Sequence, residues 1–123
     1  MSQARVIFFG LTVLYLLGVV AQFFLAGLGA FHATGYDAHR ALGFILGIGS
    51  VVMFVVAVVG RLPRVTLLIT LLLLGLNVLQ IVLANIDVEA IAALHAVNAL
   101  LIFVTAHTLM QRSRHYLASK MAA

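Results

Sequence analysis

Cysteine is absent from this chain. Its absence excludes disulfides, iron–sulfur ligation, thiol chemistry and covalent haem attachment through Cys-x-x-Cys-His. Charge is nearly absent too: 8% of the 123 residues are Asp, Glu, Lys or Arg, against about 25% in a soluble domain. What charge there is sits at the ends of long apolar runs. Residues 6–36, 41–60, 65–86 and 90–111 contain no charged side chain, and roughly 20 apolar residues suffice to cross a bilayer. The first run is much longer than the apolar centre of a cleaved signal peptide, about 7–15 residues, so it is expected to be a retained helix. Nothing supplies a nucleophile or a paired general acid and base, which argues against an enzyme acting alone.

Four spans fill the chain. The expectation is an all-α fold: a polytopic membrane four-helix bundle in one transmembrane domain, with helices at about 5–32, 36–60, 63–86 and 88–112. Thr34-Gly-Tyr-Asp37 reads as a capping box for helix 2. Pro63 suits the first turn of helix 3, and Asp87 reads as the cap of helix 4, with Glu89 in its first turn. Net charge is +4, but the basic residues are scattered at helix ends, so nucleic acid is not an expected partner. Six of the seven basic residues, Arg5, Arg61, Arg64, Arg112, Arg114 and Lys120, fall on one side. Asp37 with Arg40, and Asp87 with Glu89, fall on the other. Positive loops stay inside, which predicts a multi-pass plasma-membrane protein with both termini cytoplasmic and a basic tail on anionic lipid.

The chain repeats itself. Gln22-Phe-Phe-Leu-Ala26 in helix 1 matches Gln80-Ile-Val-Leu-Ala84 in helix 3, and each is followed by a histidine, His39 and His95, after 17 and 15 residues. This predicts two related helical hairpins about a pseudo-two-fold axis along the membrane normal.

Polar groups inside a bilayer are costly and mark function. His39 and His95 lie toward the outer ends of helices 2 and 4, across the bundle from one another. Two facing imidazoles suit the axial positions of one non-covalent haem b, with the two histidines as the iron ligands. Gly43 and Gly47 follow His39 at i+4 and i+8, and Ala99 follows His95 at i+4, leaving room for a flat macrocycle. Arg40 stands at the rim, suited to propionates. Gln22 and Gln80 are expected to hydrogen-bond across the bundle or to a quinone. One difficulty is depth: counted from Thr34 and Asp87, the two histidines differ by three residues of rise, roughly 5 Å.

Other assignments stay open. Small-residue stripes such as Gly18, Gln22, Ala26 and Gly29 also pack helices closely without a cofactor, and an exposed stripe points to a homodimer. His107 with Met53 is a candidate second haem site, although Met is usually a gap-filler. His32 is an alternative outer ligand, and His115 belongs to the basic tail. The contrasting function is a cofactor-free structural subunit or assembly factor of a membrane complex.

Gln22-x-x-Leu-Ala-Gly-x-Gly, His39-Arg-x-x-Gly43, Gln80 and Leu94-His95 together resemble one four-helix half of haem A synthase, over roughly Val20–Phe103. The chain is also similar to small four-helix membrane proteins of unassigned function. The resemblance implies His39 and His95 as the axial pair. In that family a glutamate precedes the helix-2 histidine of the catalytic half by about one turn; here Tyr36 holds that place. The resemblance therefore implies a haem-binding bundle and not the synthase reaction. The expected function is a membrane b-type haem-binding protein, used for electron transfer or as a haem-binding accessory, with a redox partner or quinone as a candidate partner.

Overall fold

In the computed structural model of the chain, residues 3–121 are described, with side chains as far as His115. The expected Lys120 contact with lipid lies outside the described side chains. The helices are α1 (Gln3–Ala30), α2 (Asp37–Val59), α3 (Arg64–Ala84), a single turn α4 (Glu89–Ala92) and α5 (Leu94–Met121). Among the described residues there are four spans long and apolar enough to cross a membrane, the last combining α4 with α5. This is a multi-pass membrane fold, all-α, built from two helical hairpins.

Buried positions recur at alternating steps of four and three. They are Phe8, Thr12, Tyr15 and Val19 on α1; Leu46, Ser50, Met53 and Ala57 on α2; Thr66, Thr70, Leu73 and Asn77 on α3. On α5 they include Asn98, Ile102, Thr105, Leu109 and Ser113. That 3.5-residue period is the seam of a left-handed bundle with knobs-into-holes packing. Neighbouring helices pack in the cycle α1, α2, α3, α5, which places α2 and α5 on one diagonal and α1 and α3 on the other.

Small hydroxyl residues share the inside of the bundle with apolar side chains, and the outside is apolar. Thr12, Ser50, Thr66 and Thr70 are fully buried, whereas Leu14, Phe24, Phe44 and Val59 face outward. Lipid solvates the outer residues as well as a core would, so small hydroxyl residues take the inside and let the helices close. Several of these hydroxyls bond a carbonyl on their own helix, as Thr70 does to Thr66 at 2.8 Å. Thr12 and Ser113 also pair across α1 and α5 at 3.2 Å.

The helix ends differ from the expected caps. Thr34 donates to the carbonyl of Gly35 at 3.1 Å, and α2 opens after Tyr36 with no side-chain cap. Asp37 is thus the first helical residue, too early to close a capping box, which needs its acid at the third. Val88, and not Asp87, precedes α4, again without a side-chain cap. Pro63 stands just before α3 in extended conformation, where its missing N–H is no loss. The expected first, second and third helices are displaced by at most two residues. The fourth is interrupted at Ala93 and continues nine residues past its expected end at 112.

Candidate functional site

The two imidazoles meet despite the expected offset in depth. α5 starts at Leu94, so His95 is its second residue, just as His39 is the third of α2. Both imidazoles therefore stand in the first turn of a long helix, on diagonal partners. Their ring centroids are 6.1 Å apart with planes at 60°.

Each histidine is oriented by its repeat-mate glutamine. His39 Nδ1 lies 3.2 Å from the main-chain carbonyl of Gln22, and His95 Nδ1 lies 3.2 Å from that of Gln80. A carbonyl only accepts, so each Nδ1 carries the proton and donates it. Each Nε2 is then left with a lone pair, the tautomer that a metal-ligating histidine requires. The 17- and 15-residue spacings in the sequence are the spacings of these two hydrogen bonds.

The pair stands inside a cavity of about 650 Å³ bordered by Gln22, His39, Arg40, Gly43, Gln80, His95 and Ala99. That volume lies within the usual range of ligand sites, about 300–1,000 Å³. A second void of about 250 Å³ on the α2–α3 side shares Gln22, His39, Arg40, Gly43, Gln80 and His95. Open space thus flanks the imidazole pair on two sides. Gly43 is part of the wall, since a Cβ there would come within 2.8 Å of Gln22 Nε2. Gly47 does not line either void; it lies a turn deeper, facing Ile81 at 4.0 Å. Arg40 borders both voids and approaches Asp37 at 3.9 Å, an exposed pair of little energetic weight.

Other contacts at the site come from residues outside the expected set. Tyr36 packs edge-on to His39 at 6.1 Å and lies over Gly29, where a Cβ would meet its ring at 2.5 Å. Tyr15 and Asn77 form the floor, joined by Tyr15 Oη to Asn77 Oδ1 at 2.9 Å and Asn77 Nδ2 to Tyr15 Oη at 2.7 Å. Asn77 Nδ2 also donates to Leu73. Asn98 donates to the Gln80 side-chain oxygen at 2.6 Å and to the Leu76 carbonyl at 2.9 Å. The cross-bundle bonding expected of the glutamines is present for Gln80, whose Nε2 donates to His95 Nε2 at 3.0 Å. Gln22 Oε1 is buried with no partner.

The candidate second site is not assembled. Met53 is buried in the core, while His107 faces outward, stacked on Phe103 at 6.4 Å and contacted by Gln111. Twelve residues beyond His95 is about 120° around the helix, which takes His107 off the inner face. His32 is exposed and adopts a left-handed conformation with φ 57°, ending α1; it does not approach the cavity. His115 is exposed near the other end of the bundle.

Among the described residues no group of three or more His, Cys, Asp or Glu side chains is gathered. Zinc sites draw three or four protein ligands. Two neighbouring imidazoles are too few for such a site, and a metal held by them would need its other positions filled by another group.

No curated protein and no solved structure shows significant similarity to the chain. The model of DUF6220, described as a family of unknown function, matches residues 22–87. That span holds Gln22, His39 and Gln80 and stops short of His95. It covers more than half of the chain, which therefore belongs to the DUF6220 family.

Proposed function

We propose that this protein is a membrane b-type haem-binding protein that holds one haem between His39 and His95. The observation that carries the proposal is the imidazole pair: centroids 6.1 Å apart, each Nδ1 tied to a carbonyl, each Nε2 left as a donor of electrons. The resemblance to half of haem A synthase supports the same pair.

The roles of the remaining residues follow from their places. The carbonyls of Gln22 and Gln80 fix the imidazole planes and the Nδ1–H tautomer. Gly43 and Ala99 leave space beside the ligands, and Arg40 at the rim suits the propionate carboxylates. The Tyr15–Asn77 pair closes the floor, and the apolar walls below exclude water. When bound, a haem would supply a one-electron couple whose potential the two histidines and this apolar shell would tune. Electron transfer with a redox partner or quinone, or service as a haem-binding accessory, is the use this arrangement suits. The charge pattern supports a plasma-membrane location with both termini cytoplasmic and the site near the outer face.

The contrasting reading is a cofactor-free structural subunit or assembly factor. It is favoured by one observation, that Gln80 satisfies His95 Nε2 from within the chain. Purification after expression with haem available separates the two. The haem reading expects a red protein with a reduced-minus-oxidised b-type spectrum, lost in both His39→Ala and His95→Ala. A colourless wild-type protein would falsify it.

A further inference from the structure

The repeat is not symmetric at the atoms that would meet a metal. His39 Nε2 has no hydrogen-bond partner among the described residues. His95 Nε2 accepts from Gln80 Nε2 at 3.0 Å, and Asn98 grips the other end of that amide through Oε1 at 2.6 Å. Asn98 is itself anchored to the Leu76 carbonyl at 2.9 Å. The residue in the corresponding place of the first hairpin, three after His39, is Leu42. It offers no such grip. Gln22 makes no bond to His39 through its side chain: its Oε1 is buried without a partner and its Nε2 lies against Gly43.

We propose that Gln80, held by Asn98, is a latch on the ligating nitrogen of His95, so that the site has one open ligand and one guarded ligand. The lone pair of His95 Nε2 can enter a metal bond only after the Gln80 amide withdraws, while that of His39 is available at once. Occupancy therefore exchanges one hydrogen bond for one coordination bond, and only on the second hairpin. The latch also gives the half-buried His95 imidazole a hydrogen-bond partner when no ligand is present. The main-chain carbonyl of Gln80 bonds Nδ1 and its side chain bonds Nε2, so replacing the side chain leaves the orienting bond intact.

The latch rests on the haem reading, and its test separates the two. Ferric haem is titrated into the haem-free protein in detergent, with visible absorbance as the readout, for wild type, Gln80→Leu, Asn98→Leu and Gln22→Leu. Removing one competing hydrogen bond tightens binding by about two- to tenfold in Gln80→Leu. Asn98→Leu moves in the same direction, and it decides the question if Gln80→Leu does not fold. Gln22→Leu does not tighten binding. In the haem-free protein, the imidazole ¹⁵N spectrum shows the His95 Nε2 resonance displaced by the accepted bond, and Gln80→Leu abolishes that displacement. Unchanged or weaker binding in the folded Gln80 and Asn98 variants overturns the latch while the haem reading stands. A wild-type protein that takes up no haem sinks both, even if the spectrum still displays the Gln80–His95 bond.

Discussion

Tyr15 and Asn77 exchange two short hydrogen bonds at the bottom of the cavity, between helices that do not otherwise adjoin. Such bonds within membranes average about 0.6 kcal/mol, because alternative partners exist in the unfolded state. Tyr15→Phe therefore lowers stability by roughly 0.5–1.5 kcal/mol, the upper end applying because Asn77 is left buried with one fewer partner; denaturant unfolding in detergent measures it. His39, His95 and Gln80 were legible in the sequence because a polar side chain in an apolar run has few reasons to be there. Tyr15 was not, since a tyrosine among leucines reads as bulk and its hydroxyl gains meaning only when α3 brings Asn77 to it. Asn98 is likewise polar within an apolar run, but no spacing on its own helix points to Gln80, 18 residues earlier.

The helix ends carry information that composition conceals. α1 and α2 both stop in the same motif: Ala33 N–H donates to Leu28 and His32 N–H to Gly29, as Leu62 does to Ala57 and Arg61 to Val58. This is a Schellman closure, normally made with glycine in the left-handed position. Here His32 and Arg61 hold it, at φ 57° and 47°. A side chain in that conformation costs about 1 kcal/mol. His32→Gly is accordingly expected to raise the stability by up to about 1 kcal/mol, seen as a higher midpoint of thermal unfolding with haem binding unaffected. Such ends are hard to read in advance, because neither residue type announces the conformation. The break at Ala93 was equally hidden. At the wall, Gly43→Leu places a bulky side chain where a single Cβ already meets Gln22. Loss of haem uptake with retained folding, judged by circular dichroism, is the expected result; unaltered uptake would show that the slot lies elsewhere.

As a whole, the molecule presents its apolar residues outward and sorts its charges to the two ends. Hydropathy located the four spans because lipid demands apolar length. It left the inner face unresolved, because every side of every helix is apolar. The small polar residues at alternating steps of four and three were the usable signal: Thr12, Ser50, Thr66, Thr70, Asn77 and Ser113 all turn inward. The cysteine-free sequence makes the orientation directly measurable. On the proposed orientation, Thr34→Cys, in the exposed turn between α1 and α2, should react with a membrane-impermeant maleimide in intact cells, and Gln3→Cys only after permeabilisation. The reverse labelling would turn the protein over.

Both histidines stand near one end of the bundle, and on the proposed haem reading that depth limits what the protein could transmit. From His39 the chain descends 20 residues to the end of α2 at Val59, about 30 Å at 1.5 Å per residue, the thickness of the hydrocarbon core. An electron lodged between His39 and His95 would sit beside one aqueous phase and a full bilayer from the other. The protein alone would then be a relay that receives and returns electrons on a single side. Any current across the membrane would need a second centre, supplied by another protein.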